Sequence, residues 1–523
     1  MNDTAEPGQL GTAQAKTAAK SAAKTTAKTT AKTVQEYIDE LPVWSDGTML
    51  KSTPMTGMQW RIWALAASGK FFEGFVVFMG GVTVPLITRE FGLGAGEAGL
   101  VTSASLAGIL VGTILLGGLS DYFGRKRMFI AEMIIFCLFL ALLIMVGSFW
   151  SLVICLFGIG MALGCDYPTA HMIISESIPS VSRGRLVLGA FAFQAVGAMS
   201  GIAVGAGVLM LDPDIDAWRW MYATALLPAV IITIGRFFIP ESANWLIVRG
   251  AHEHAEKAVT RLLRRKPTYP QKVELTRHVV DEHSASKQSF FALFNSKNLR
   301  ATIFSSAPWL FQDLGTYGIG VFTPTLIAAA LGSGPDKIRS PADLIASGIH
   351  SAEAAALTTS LLIVGIIFAI WLSDSLGRIK LQIFGFLGCA VGLGIASMSL
   401  DADGATKLYL IMSGVMLFNF MTNIGPNAQT YLLAGEVFPT EVRGMGAGFA
   451  AMIGKVGAVA TTYGFPILLA SIGTRALLYG LVVSSVLGAI VTWIYRIETT
   501  GVNLDRIGRE PEAQNPVTEK VAA

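Results

Sequence analysis

Residues 164–185, GCDYPTAHMIISESIPSVSRGR, place an acidic residue inside an apolar run that ends at a basic exit. Asp166 and the Tyr-Pro pair that follows it lie within the hydrophobic part of this stretch. A carboxyl group at the centre of a membrane costs about 2.5–3.5 kcal/mol on insertion scales, so it is usually retained for a function. We therefore interpret the stretch as the end of a membrane helix that carries part of a functional site.

Two motifs recur in the second half of the chain. Residues 425–445, GPNAQTYLLAGEVFPTEVRGM, repeat the E-x-x-P-x-x-x-R-G pattern that begins at Glu176, with the second copy beginning at Glu436. Residues 119–126, LSDYFGRK, recur as residues 372–380, LSDSLGRIK, with Leu, Ser, Asp, Gly and Arg in step. Such repeats are typical of a duplicated membrane bundle whose site lies at the interface between its halves.

The composition is that of a polytopic membrane protein. Hydrophobic residues make up 52% and charged residues only 14% of the 523 residues, whereas a soluble chain carries about 25% charged residues. The four cysteines lie in apolar runs without metal-ligand spacing, which predicts core residues and no metal site. Because no P-loop, H-E-x-x-H or nucleophile elbow occurs in a suitable context, the sequence predicts neither an enzyme nor a cofactor.

Twelve apolar runs from Arg61 onward have about the 20 residues that a membrane helix needs. They cover residues 62–88, 99–119, 128–147, 150–174, 186–210, 219–239, 300–330, 355–373, 381–399, 408–433, 446–470 and 475–495. The run 300–330 is so wide that we expect a cap or a loop inside it. The predicted fold is an all-α membrane protein with twelve transmembrane helices in two pseudo-symmetric six-helix bundles.

The distribution of charge predicts the domain boundaries and the orientation. A densely charged segment between the sixth and seventh runs is interpreted as amphipathic helices on the membrane surface. The predicted parts are a largely disordered N-terminal tail (1–60), a first bundle (61–239), a linker (240–299), a second bundle (300–497) and a C-terminal tail (498–523). The protein is predicted to span the cell membrane several times. Lys and Arg concentrate in one set of loops, so these loops and both termini are predicted to face the cytoplasm.

The charged residues of the repeated motifs are candidates for a gate at the cytoplasmic face. Gly124 permits a tight bend in the first motif. Paired acids and arginines there can form a latch that breaks when the two halves move apart; alternatively, they only orient the loops. The candidate gating residues are Asp121, Arg125, Glu176, Arg183, Asp374, Arg378, Glu436 and Arg443.

Polar side chains deep inside the predicted spans are the candidates for the site, because lipid tolerates them only where they face a cavity or each other. Lys455 is a fixed cation among hydrogen-bond donors, which favours a small, oxygen-rich anion. Burial favours the neutral form of a carboxyl group, so buried acids could exchange protons. The candidates for substrate binding are Tyr167, Gln194, Trp309, Asp313, Tyr317, Asn427 and Lys455, and those for proton coupling are Glu73, Asp166 and Asp313.

These motifs resemble those of a known superfamily. GGLSDYFGRKR, in residues 117–127, resembles the loop signature of the major facilitator superfamily, and PESANWLIVRG, in residues 240–250, resembles a signature of its sugar-porter branch. The polar residues of the spans, including W-x-x-x-D-x-x-x-Y from Trp309 and GPN from Gly425, are similar to the phosphate:proton symporter family. This resemblance implies roles in phosphate binding for Tyr167, Gln194, Trp309, Asp313, Tyr317 and Asn427, and roles in proton coupling and charge balance for Asp166 and Lys455.

The sequence therefore predicts a secondary transporter that carries a small polar solute together with protons by alternating access. Inorganic phosphate or a similar anion is the favoured solute. A sugar or carboxylate:proton symporter is the alternative, and a non-transporting nutrient sensor on the same fold is the alternative from another class. The expected partners are the solute, protons and the lipid bilayer. No nucleic acid is expected, and the chain is expected to be a monomer.

Overall fold

The computed structural model describes residues 32–41, 54–115, 119–264, 273–275, 290–330, 340–373, 375–439 and 442–499. Within these ranges the chain is mainly α-helical. Three candidates from the sequence, namely Asp374 and the side chains of Asp121 and Tyr167, lie outside the described residues and stay predictions.

Six long helices make up each half of the described chain. The first half contains α1 (Gly57–Phe91), α2 (Ala95–Leu115), α3 (Arg125–Ile144), α4 (Phe149–Ser177), α5 (Arg183–Leu211) and α6 (Ile215–Phe237). The second half contains α7 (Ser296–Ala330), α8 (Pro341–Leu372), α9 (Arg378–Met398), α10 (Gly404–Glu436) and the range Arg443–Tyr495, in which α11 and α12 meet at Gly473. Ten of these ranges are long and apolar enough to cross a membrane, and the 35-residue α7 has the length to do so. The predicted all-α membrane fold is confirmed.

The widest apolar run forms one continuous helix, so the expected cap or loop inside it is wrong. Helix α7 contains both Pro308 and Pro324 without ending at either. Prolines are tolerated inside membrane helices because neighbouring groups satisfy the backbone positions that they free. The polar residues between Trp309 and Tyr317 therefore lie along one uninterrupted helix.

Equivalent helices of the two halves pack in equivalent ways. Helix α1 lies so close to α5 that a Cβ atom at Gly197 would be 2.0 Å from the carbonyl oxygen of Phe71. Helix α7 lies against α11, where a Cβ atom at Gly457 would be 2.7 Å from the carbonyl oxygen of Leu310. Small residues let membrane helices approach this closely, so the same tight pair is built once in each half.

In the described part of the chain, the most extensive contacts between the two halves are those of α1 with α7, of α2 with α11 and of α5 with α8. A Cβ atom at Gly81 of α1 would be 2.1 Å from the carbonyl oxygen of Val321 of α7. Thr102 of α2 donates a hydrogen bond to the carbonyl oxygen of Thr462 of α11 at 2.9 Å. Both contacts lie toward the helix ends that are far from the repeated basic motifs, so the halves are closed together at that end.

Both copies of the L-S-D motif turn at a glycine with positive φ. Gly124 has a φ of 104° and Gly377 a φ of 87°. Residues with a Cβ atom rarely adopt these angles, so the tight bend expected at Gly124 is confirmed. The turn leads directly into α3 in the first half and into α9 in the second.

Part of the predicted N-terminal tail is helical and packs against the first half. The helix Val34–Asp39 begins with a capping box between Thr33 and Glu36. Ile38 is fully buried, and both the backbone and the hydroxyl group of Ser180 donate hydrogen bonds to Asp39 at 2.7 Å. The chain before α1 is thereby tied to the turn between α4 and α5.

The close approach of α1 and α5 predicts that Gly197→Val destabilises the protein. The added side chain must displace backbone, which costs about 1–3 kcal/mol for overpacking. Gly207→Val is the matched control on the same helix, because a Cβ atom there meets nothing within 4 Å. Melting temperatures of the purified protein in detergent test the difference, and equal melting temperatures for the two variants would contradict the packing described.

Candidate functional site

The hydroxyl group of Tyr317 is the centre of a buried hydrogen-bond network between the two halves. It donates to Glu73 Oε1 of α1 at 3.0 Å, and it accepts from Lys455 of α11 at 2.6 Å and from Gln194 of α5 at 3.1 Å. Helices α1 and α5 belong to the first half, whereas α7 and α11 belong to the second. The structure therefore brings these four predicted site residues together at the interface.

Two ammonium groups and two carboxylates carry the charge in this network. Lys455 Nζ lies 3.4 Å from Glu73 Oε1 and 3.5 Å from Asp313 Oδ2. Lys70 Nζ lies 3.3 Å from Glu73 Oε2. None of the four residues is more than 5% exposed. Buried charges are tolerated when opposite charges compensate them, and here two positive and two negative groups do so.

Lys455 is therefore not the lone cation that the sequence suggested. Its partner Glu73 lies 382 positions earlier in the chain, and no spacing rule joins residues so far apart. Lys70 was not assigned to the site from the sequence. It could have been found as a second charge one helical turn before Glu73, since residues three apart share a helix face.

An aromatic cluster lies next to this network, on the side of the repeated basic motifs. Tyr431 of α10 stacks on Phe191 of α5 with ring centroids 4.7 Å apart. Its ring also makes edge contacts with His171 at 6.1 Å and with Trp309 at 6.2 Å. Trp309 is buried and packs against Gly454 of α11. The cluster connects helices of both halves.

Asn427 belongs to a second polar chain between α7 and α10. It accepts a hydrogen bond from Gln312 at 3.0 Å and donates one to Asn423 at 2.6 Å. Asn423 donates in turn to the carbonyl oxygen of Leu362 in α8 at 2.8 Å. Gln312 precedes Asp313 on α7, so this amide chain adjoins the charged network along that helix.

Asp166 lies in a separate charged cluster inside the first half. Arg236 of α6 donates to Asp166 Oδ1 at 2.9 Å and forms an ion pair with Glu132 of α3. Arg236 is fully buried, and its guanidinium group lies over the ring of Phe129 at 3.4 Å. On the other side, a Cβ atom at Gly69 of α1 would be 1.8 Å from Asp166 Oδ2. Two carboxylates thus share one guanidinium group beside α1.

The sequence analysis missed Arg236 and Glu132, although both were detectable. Each is a charged residue inside an apolar run, as Asp166 is, and the same membrane rule applies to all three. Their mutual contact was not detectable, because three different helices contribute them.

The repeated motifs form equivalent ion pairs at one end of the molecule. Arg125 lies 3.7 Å from Glu176 in the first half, and Arg378 lies 3.0 Å from Glu436 in the second. Each pair joins the L-S-D turn to the end of the fourth helix of its own half. Arg183 and Arg443 are the arginines of the two E-x-x-P-x-x-x-R-G copies. Arg183 donates a hydrogen bond to Gln35 at 2.8 Å, and Arg443 donates one to the carbonyl oxygen of Phe438 at 3.2 Å. The gating role of these residues stays a prediction.

Comparison with known proteins gives one consistent picture. A family model described as "Sugar (and other) transporter" matches residues 62–510. The inner membrane metabolite transport protein YgcS of Escherichia coli (strain K12) is 28% identical over 87% of this chain and 95% of its own. The probable inorganic phosphate transporter 1-6 of Arabidopsis thaliana is 26% identical over 91% of this chain and 98% of its own. The solved structure of the proton:xylose symporter XylE, of the major facilitator superfamily, matches with a TM-score of 0.69 and 20% identity over 86% of this chain and 98% of its own.

The shared guanidinium group predicts that Arg236→Met strongly destabilises the protein. Removing one partner leaves two buried carboxylates uncompensated, which costs about 3–5 kcal/mol. Adding Glu132→Gln and Asp166→Asn to the same chain should recover part of this loss. Arg475→Met is the control, because the Arg475–Asp401 pair is exposed and such pairs contribute about 0–1 kcal/mol. Thermal melting in detergent compares Arg236→Met, the triple variant and Arg475→Met. Similar decreases in melting temperature for Arg236→Met and Arg475→Met would contradict the charge pairing described.

Proposed function

The chain belongs to the sugar (and other) transporter family, and we propose that within it the protein is a proton-coupled symporter of a small, singly charged oxyanion. The family and the fold are those of multi-pass membrane transporters and not of enzymes. Inorganic phosphate and monocarboxylates are the candidate substrates. The similarity to a probable phosphate transporter supports an anion, without specifying which one.

The balanced charge of the central network carries this proposal. Two lysines and two acids are linked by ion pairs with N–O distances of 3.3, 3.4 and 3.5 Å. Two unit charges 4 Å apart interact by about 4 kcal/mol even at an effective dielectric constant of 20. A monoanion that entered alone would leave one negative charge uncompensated, whereas a monoanion with a proton leaves the total at zero. Glu73 and Asp313 are the acids that can accept that proton.

The same network supports alternating access. Because Glu73 and Lys455 belong to different halves, their contact must break when the halves rock apart to open the site. The Arg125–Glu176 and Arg378–Glu436 pairs lie within single halves, which would let each half move as a rigid unit. The basic loops predict that the motif end faces the cytoplasm, so substrate and proton would enter from the opposite end during import.

A neutral sugar is the second candidate. The amide chain formed by Gln312, Asn427 and Asn423 offers donors and acceptors without net charge, and Trp309 adds an aromatic face beside it. Such groups suit hydroxyl-rich substrates. The proton:xylose symporter shares the fold, which is compatible with this candidate.

Uptake into proteoliposomes separates the two candidates. We expect wild-type protein to accumulate an anion from a panel of inorganic phosphate, monocarboxylates and glucose, with faster uptake at external pH 6 than at pH 8, because the proton is a co-substrate. Lys455→Ala should reduce anion uptake at least about tenfold, the equivalent of one charge-assisted contact. Glucose uptake that is insensitive to Lys455→Ala, with no anion uptake, would favour the sugar.

Asp166 is proposed to take part in proton coupling. One proton neutralises the cluster of Asp166, Glu132 and Arg236, which lies against α1 one residue from Lys70. Asp166→Asn keeps the volume and much of the hydrogen bonding but cannot titrate. We expect this variant to lose accumulation against a gradient while counterflow exchange persists. Wild-type accumulation driven by a proton gradient in the variant would remove Asp166 from the coupling mechanism.

A further inference from the structure

The carboxylate of Glu73 bridges two ammonium groups that come from opposite halves of the molecule. Its Oε2 atom lies 3.3 Å from Lys70 of α1, and its Oε1 atom lies 3.4 Å from Lys455 of α11. The hydroxyl group of Tyr317 donates to the same Oε1 atom at 3.0 Å. Glu73 is 1% exposed. One planar, two-oxygen anion is therefore surrounded by two cations and a neutral donor.

This surrounding is chemically a carboxylate-binding site. Charged donors form shorter and stronger hydrogen bonds to carboxylates than neutral donors do, and here each of the two oxygens has its own ammonium group. Nothing in these contacts depends on the carboxylate being part of the chain. A free carboxylate of the same shape could make the same contacts with Lys70, Lys455 and Tyr317.

The charges indicate when such an exchange is possible. With Glu73 ionised, the two lysines balance Glu73 and Asp313. With Glu73 protonated, Lys70 and Lys455 exceed Asp313 by one positive charge, and a single monoanion restores the balance. A dianion would overshoot by one negative charge. Protonation of Glu73 and binding of a monoanion therefore leave the network at the same net charge.

Other titratable groups face these residues and define the limits of the exchange. Asp313 and Tyr317 of α7 line the network itself. Asp166 and His171 of α4 lie near Lys70, and Tyr431 of α10 lies near Glu73. Asp313 forms an ion pair with Lys455, whereas Glu73 contacts both ammonium groups. Protonation of Glu73 therefore neutralises the one carboxylate in this network that contacts both ammonium groups, while Lys455 keeps its ion pair with Asp313.

We propose that Glu73 is an internal substitute for the substrate, and that a monocarboxylate replaces it between Lys70 and Lys455 when Glu73 is protonated. Lys70 is then a substrate-binding residue and determines specificity for carboxylates. The inference rests on the proton-coupled anion symport proposed above and narrows its substrate class. It also explains why a second lysine is buried on the same helix turn as the acid.

Equilibrium binding to the purified full-length protein tests the exchange. The probes are a set of monocarboxylates (pyruvate, lactate, benzoate and nicotinate), inorganic phosphate and glucose, each at pH 6 and pH 8. Wild type should bind a monocarboxylate about tenfold more tightly at pH 6. Glu73→Gln, which imitates the protonated acid, should bind it equally at both pH values and at least as tightly as wild type at pH 6.

Variants of Lys70 test the second cation. Lys70→Met should weaken carboxylate binding at least about tenfold, whereas Lys70→Arg keeps the charge and should stay within about threefold of wild type. Lys257→Met removes the same charge from an exposed position and is the matched control. If Lys70→Met alone fails to fold, the double variant Lys70→Met with Glu73→Gln removes both charges together, and its carboxylate binding is compared with that of Glu73→Gln.

The outcomes separate this inference from the function on which it rests. Wild-type protein that binds and accumulates no anion would reject the anion symport itself. If wild-type protein shows proton-coupled anion uptake, two results would reject only the exchange. One is normal carboxylate binding by Lys70→Met, and the other is pH-dependent carboxylate binding by Glu73→Gln. Binding of phosphate without any monocarboxylate would also reject it, because the site would then not be shaped for a planar carboxylate.

Discussion

The contact of Glu73 with Lys455, through which α1 of one half meets α11 of the other, is the interaction on which the site depends. Buried charges are stable in a membrane interior only beside close, hydrogen-bonded opposite charges, and this ion pair joins the two halves. Tyr317 ties the pair to α7, and Gln194 ties Tyr317 to α5. The site is consequently a property of the interface and exists only while both halves contribute to it.

Backbone packing makes this charged interface possible. Glycines let α1 approach α5 and let α7 approach α11 almost to backbone contact, so the four helices that supply the network reach the centre together. The second pair repeats the arrangement of the first, which places the polar side chains of equivalent helices at equivalent points around the axis between the halves. Larger residues at these glycines would separate the helices and spread the charges apart.

Two buried charge clusters among the described residues have different properties. The central network has equal numbers of lysines and acids and spans both halves. The cluster of Glu132, Asp166 and Arg236 has two carboxyl groups for one guanidinium group and lies within the first half. In the function proposed here, the balanced network across the interface exchanges the charged solute, and the unbalanced cluster holds a proton while the first half moves.

The sequence by itself determined the all-α membrane fold, the duplication and the identity of most central residues, because apolar length and the high cost of intramembrane charge are local properties that a single chain displays. Glu73, Gln194, Tyr317 and Lys455 were found in this way. Only the tertiary structure decided which charges compensate each other: that Lys455 is paired rather than alone, that Asp166 belongs with Arg236, and that Lys70 faces the interface. Pairing depends on distances between helices far apart in the chain, and periodicity within one helix carries no information about them.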